Sequence, residues 1–116
     1  MVSYNMTSML WTNITAAGLT NSNTSMSGQL QFVPNFGPNG LLFALGGQTS
    51  TNVQWYEGQN LLPFNTVSIF EPTEGTWHSQ TVGGPADAIP PARERFCSVG
   101  IPGDNGTFEV YLLTYP

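Results

Sequence analysis

Lysine is absent from this 116-residue chain, and Arg93 and Arg95 are its only strong cations. Charged residues make up 8% of the sequence and the formal net charge is −5. No basic stripe can form, which argues against nucleic acid and against acidic membrane surfaces as partners. Cys97 is the only cysteine, so no internal disulfide is possible and cysteine use assigns no redox compartment. His78 is the only histidine, leaving no second imidazole for a metal cluster. Neither a Ser/His/Asp nor a Cys/His set can be assembled, and no cofactor is expected. Long apolar runs are missing too. The longest, Leu41 to Leu45, is far too short to span a bilayer, so no membrane insertion is expected of this segment.

What is present is turn chemistry. Thirteen Gly and nine Pro separate short apolar runs, the composition of strands joined by turns without long helices. Asn65 to Phe70 alternates polar and apolar residues, and Glu71-Pro72-Thr73-Glu74-Gly75 supplies a Pro-containing turn closed by Gly. Thr76 to Val82 then returns as the partner strand, with Trp77 supplying most of its apolar area. The same logic places strands near 28–34, 41–46, 65–70, 76–82, 95–101 and 108–113. Gln48 to Pro63 reads as a longer polar connection carrying Trp55 and Tyr56.

The hairpin has a counterpart. When Tyr4 to Thr15 is set over Phe70 to Thr81, Tyr4 meets Phe70, Thr7 meets Thr73, Trp11 meets Trp77 and Thr15 meets Thr81, all 66 residues apart. Further on, Leu30 to Pro34 falls on Ser98 to Pro102 and Leu41 to Gly47 on Glu109 to Tyr115, both 68 apart. A fixed period with a small change in one loop is the mark of a repeated unit. Each unit reads as four antiparallel strands, the sequence form of a propeller blade. Residues 1–25 would end one blade, 26–84 would form a complete one and 85–116 would start the next. A closed propeller needs about four to eight blades, so the expected fold is all-β: antiparallel four-stranded blades forming an incomplete β-propeller.

The ordered combination of Leu41 to Gly47, "NTVSIFEPTEGTW" and "PPARERFCSVG" resembles the Kelch repeat. That repeat runs as an apolar strand ending in Gly46-Gly47, the aromatic Phe70 before a turn, Trp77, and a Pro/Arg approach to the next blade through Arg93 and Arg95. In the preceding unit Tyr4 and Trp11 hold the aromatic and Trp places. The long spacing is most similar to Kelch-repeat ectodomains of fungal secreted or membrane-anchored proteins, in the galactose oxidase/Kelch superfamily. The resemblance implies a non-catalytic interaction scaffold binding protein or glycan partners. It also implies either further blades or self-association to cover the open faces. The alternative it raises is a fragment of a galactose oxidase-like copper enzyme whose ligands lie outside this chain. In the innermost strand of the next blade, Cys97 shares a face with Val99 and Ile101 and is expected to be a small buried apolar residue.

Asn-x-Ser/Thr sequons occur at Asn5, Asn13, Asn23 and Asn105, a dense set of candidate glycosylation sites. The amino end has neither the basic region nor the apolar core of a signal peptide. Together these features lead to the expectation of a piece of an extracellular or cell-surface glycoprotein whose start lies upstream.

Overall fold

A computed structural model describes residues 1–15, 24–50 and 60–114. Among these residues ten strands run in chain order: β1 (Val2–Asn5), β2 (Leu10–Asn13), β3 (Thr24–Met26), β4 (Gln29–Val33), β5 (Leu41–Leu45), β6 (Gln48–Ser50), β7 (Thr66–Glu71), β8 (Thr76–Thr81), β9 (Cys97–Pro102) and β10 (Phe108–Leu113). Single 3₁₀ turns lie at Ala86–Ala88 and Asp104–Gly106. All strand pairs are antiparallel. The central sheet is the meander β4-β5-β7-β8, flanked by the hairpins β1-β2 and β9-β10 and by the small β3-β6 pair. Among the described residues no sheet closes on itself. The fold is all-β, built on an antiparallel four-stranded sheet of the blade type.

Strand bounds fall within about two residues of those expected, as is usual where ends fray. The largest difference is at β9. Arg95 has φ +55, a left-handed conformation that breaks an extended run, so pairing starts only at Cys97. The β3-β6 pair was not anticipated. Gln48 to Ser50, read as the start of a polar connection, pairs with Thr24 to Met26. Trp55 and Tyr56 lie outside the described residues.

The core is small. Among the described residues, Val33, Phe64, Ile69, Phe70 and Phe96 are its buried apolar residues. Phe64 and Phe96 meet edge to face with ring centroids 5.7 Å apart, joining the central sheet to the segment that leads into β9. Gly46 lies beneath this pair with φ +55, and a Cβ there would sit 2.8 Å from Phe96 Cε1, 2.9 Å from the Arg93 oxygen and 2.9 Å from Phe64 Cζ. Only glycine fits that approach. The Gly47 amide donates to the Arg93 carbonyl at 2.9 Å, and the Arg95 amide to the Ser27 carbonyl at 2.8 Å. The backbone of Arg93 therefore ties the approach to β9 to the Gly-Gly turn and that of Arg95 ties it to Ser27 ahead of β4, while the Arg93 Nε donates to the Pro91 carbonyl.

The β9-β10 hairpin turns one face toward β4. Ser98 Oγ donates to Gln31 Oε1 at 3.0 Å, and a Cβ on Gly100 would come within 2.7 Å of Gln31 Nε2. Cys97, Val99 and Ile101 point the other way, and all three are exposed. This corrects the expectation that Cys97 is buried. The strand has two faces, only one meets the central sheet, and Cys97 is on the other.

The repeat is visible in the strand registers. Tyr4 is the Cα partner of Trp11, as Phe70 is of Trp77. Val33 pairs with Leu41, and 68 residues later Ile101 pairs with Glu109. One detail is inverted between units. The Phe32 ring lies over Gly40, 2.4 Å from where a Cβ would be, whereas the Phe108 ring lies over Gly100 at the same distance. Ring and glycine have exchanged strands.

Candidate interaction surface

Hairpins β1-β2 and β7-β8 carry the same turn. The Met9 amide donates to the Asn5 carbonyl at 2.7 Å, and the Gly75 amide to the Glu71 carbonyl at 2.9 Å. Met9 has φ +59 and Gly75 φ +69, so both units leave the turn through the left-handed region. A side chain at the last strand position caps the turn in each. Asn5 Oδ1 accepts from the amides of Thr7 and Ser8 at 2.9 Å, and Glu71 Oε2 accepts from the Glu74 amide. That bond above all holds the Glu71 carboxyl below its ordinary value, against an opposing effect of burial, with Thr73 and His78 adding to the lowering.

The surroundings of the two hairpins differ. Phe70 is 2% exposed because β7 pairs with β5, whereas Tyr4 is 44% and Trp11 71% exposed. The Tyr4 and Trp11 rings still touch, with centroids 4.8 Å apart, as do Phe70 and Trp77 at 5.2 Å. Met6, Met9 and Leu10 at the first tip are exposed apolar side chains. A capped, hydrogen-bonded turn holds them in place, the arrangement of a presented loop on a strand framework.

Of the sequons, Asn5 is exposed and caps the first turn. Asn13 is exposed on β2 opposite Val2, and Asn105 is exposed at the β9-β10 tip with φ +60. Asn23 lies outside the described residues. The capping role of Asn5 escapes a reading of Asn5-Met6-Thr7 as a sequon alone. The available signal was an Asn at a strand end, a position that favours side-chain capping of the next amides.

His78 is exposed on β8 beside Thr76, with 3.1 Å between Nε2 and Oγ1. Cys97 is on β9, in a different sheet. Among the described residues no group of three or more His, Cys, Asp or Glu side chains could hold a metal ion. No helix among them is long and apolar enough to cross a membrane.

No family model matches the chain, and no solved structure does. The chain is similar to a Kelch repeat-containing protein of Arthroderma benhamiae, at 27% identity over 108 residues. The match covers 90% of this chain and 14% of that protein's length. Alongside the antiparallel sheets, this similarity supports Kelch-like repeats in the chain.

Proposed function

We propose that the chain is a non-catalytic Kelch-type scaffold in a secreted or cell-surface glycoprotein, and that it presents the first hairpin tip to protein or glycan partners. The observation that carries this reading is the tip itself. Met6 is 87% exposed on a turn fixed by three hydrogen bonds, so an apolar side chain is displayed rather than left to collapse. Exposed apolar groups held on a rigid framework are how loops on a scaffold recognise ligands. The sequons support an extracellular setting, and the acidic, lysine-free surface disfavours polyanionic partners.

Two measurements test it. Expression through a secretory pathway followed by glycosidase treatment should remove mass from peptides carrying Asn5, Asn13, Asn23 or Asn105; unmodified asparagines throughout would refute the glycoprotein reading. Biosensor screening against extracellular proteins and glycans should find a ligand whose binding is lost on Met6→Asp or Leu10→Asp. Binding untouched by both substitutions would refute the tip.

A further inference from the structure

Asn-Gly occurs twice in the sequence, at Asn39-Gly40 and Asn105-Gly106, and each pair lies in the turn that joins the two inner strands of a unit. The two turns are equally long, since Val33 pairs with Leu41 and Ile101 with Glu109. The dipeptides stand at different places in them. Asn39-Gly40 abuts the first residue of β5, whereas Asn105 takes the place that Gly37 has in the other turn. Gly37 has φ +70 and Asn105 φ +60, so an asparagine holds a left-handed position that the complete unit gives to glycine.

Asparagine is thermally labile, and most of all when glycine follows it. The glycine nitrogen, with no side chain beside it, adds to the asparagine Cγ. The new C–N bond closes a five-membered succinimide and Nδ2 leaves as ammonia. Water then opens either carbonyl of the ring, giving aspartate or isoaspartate. The sum is an amide and a water converted to a carboxylate and an ammonium ion, with no oxidant or reductant. Ring closure requires the asparagine side chain to swing onto the next amide and the glycine to rotate, so the fold decides which pair reacts.

We propose that Asn105 is a site of spontaneous succinimide formation, and that Asn39, in the same dipeptide, is protected. Asn39 Nδ2 donates to Thr73 Oγ1 at 2.8 Å, tying its turn to the outer hairpin. Gly40 is buried at φ +76 with the Phe32 ring 2.4 Å from where a Cβ would be, so the backbone cannot turn there without displacing the ring. Asn105 is exposed, and a Cβ on Gly106 would meet nothing within 4 Å. The Gly103 amide donates to the Thr107 carbonyl at 2.9 Å, and Thr107 Oγ1 to the Asp104 carbonyl at 2.8 Å. These bonds close the turn from its two ends and leave Asn105-Gly106 at the apex. Exposure here does not come from an open sheet edge. Asn39 is exposed as well, in a sheet whose outer hairpin is in place.

Conversion puts a negative charge beside Asp104, and isoaspartate adds a carbon to the backbone at the tip. Asn105-Gly106-Thr107 is also a sequon, and the nitrogen that would carry a sugar is the one that leaves. Glycan and succinimide therefore exclude each other at this position, a consequence that alone rests on the glycoprotein reading.

Peptide mapping of the unglycosylated chain during incubation at mildly alkaline pH tests the assignment, in water enriched in heavy oxygen so that each conversion carries the label. In the folded chain, aspartate and isoaspartate should accumulate at Asn105 at least about tenfold faster than at Asn39, whose protection is set by the cost of opening its turn. In strong denaturant the two rates should converge, because only the dipeptide remains. Equal rates in the folded chain, or faster conversion at Asn39, would overturn the proposal. So would the same preference for Asn105 in denaturant, which would trace it to neighbouring residues and not to the fold. In chain from a secretory host, the peptide bearing a sugar at Asn105 should persist while the bare peptide converts, and equal conversion of both would overturn the exclusion. Asn105 without sugar in that host would count against the glycoprotein reading and leave the first measurement standing.

Discussion

Gly46→Ala is the sharpest test of how β9 is held to the central sheet. Three losses add at this position. An alanine at φ +55 gives up about 1–2 kcal/mol to the left-handed backbone. Its Cβ would overlap Phe96 and Phe64 at under 3 Å, and separating that aromatic pair forfeits about 0.5–1.5 kcal/mol. It would also press on the Arg93 oxygen that accepts the Gly47 amide, a bond worth about 0.5–1.5 kcal/mol. The expected destabilisation is about 3–4 kcal/mol. Gly75→Ala isolates the first term, since φ is +69 and the nearest atom, the Thr15 oxygen, lies 3.9 Å from the added carbon. It should cost only about 1–2 kcal/mol. Gly83→Ala, with nothing within 4 Å, should stay within about 0.5 kcal/mol. Urea unfolding followed by tryptophan fluorescence, at one fixed protein concentration because association shifts apparent stability, would separate the first two midpoints by about 1–2 M. Equal midpoints for Gly46→Ala and Gly75→Ala would show that the close approach of Phe64, Phe96 and Arg93 carries no stability.

The same substitution at the two repeated tryptophans should differ in the dilute single chain. Trp77→Ala should cost about 3 kcal/mol, while Trp11→Ala and the exposed His78→Ala should each cost well under about 1 kcal/mol; equal losses at the two tryptophans in denaturant titrations would refute the difference in packing. Cys97 should be fully alkylated in the folded chain at high dilution, read by intact mass, and protection there would contradict its exposed position. Because the Glu71 carboxyl is held below its ordinary value, its contribution is present above the unfolded value and is lost as pH falls from about 4.3 downwards. Glu71→Gln should flatten the acid limb of a stability–pH profile, and an unchanged limb would refute the capping role of the carboxylate.

What could be read from the sequence was local. Tyr4, Trp11, Phe70 and Trp77 reveal their hairpins because cross-strand pairs and tight turns are set by residues a few positions apart. Gly46-Gly47 likewise marks a close approach, although not which atoms approach. The exposure of Cys97 was not legible, because alternation shows that a strand has two faces without showing which one a neighbouring sheet covers. The β3-β6 pair escaped for a different reason: Thr24 to Met26 and Gln48 to Ser50 lack the alternation that marks a half-buried strand. The first tip was half legible. Its turn uses Met9 where the second uses Gly75, so the shared left-handed exit left no glycine to find.

The exchange of ring and glycine between Phe32/Gly40 and Gly100/Phe108 bears on how a repetitive chain avoids mispairing with itself. Similar strands invite a strand of one unit to dock in the place of its equivalent in the next, a characteristic failure of repeat proteins. Were β4 to pair with β10 in the native register, Phe32 and Phe108 would compete for one site. Were β9 to pair with β5 in that register, Gly100 would stand opposite Leu42 in the place of Phe32, and Gly40 would have no ring over it. Each inner strand thus rejects the other's partner by shape alone, and the two units can share one backbone pattern without sharing strands.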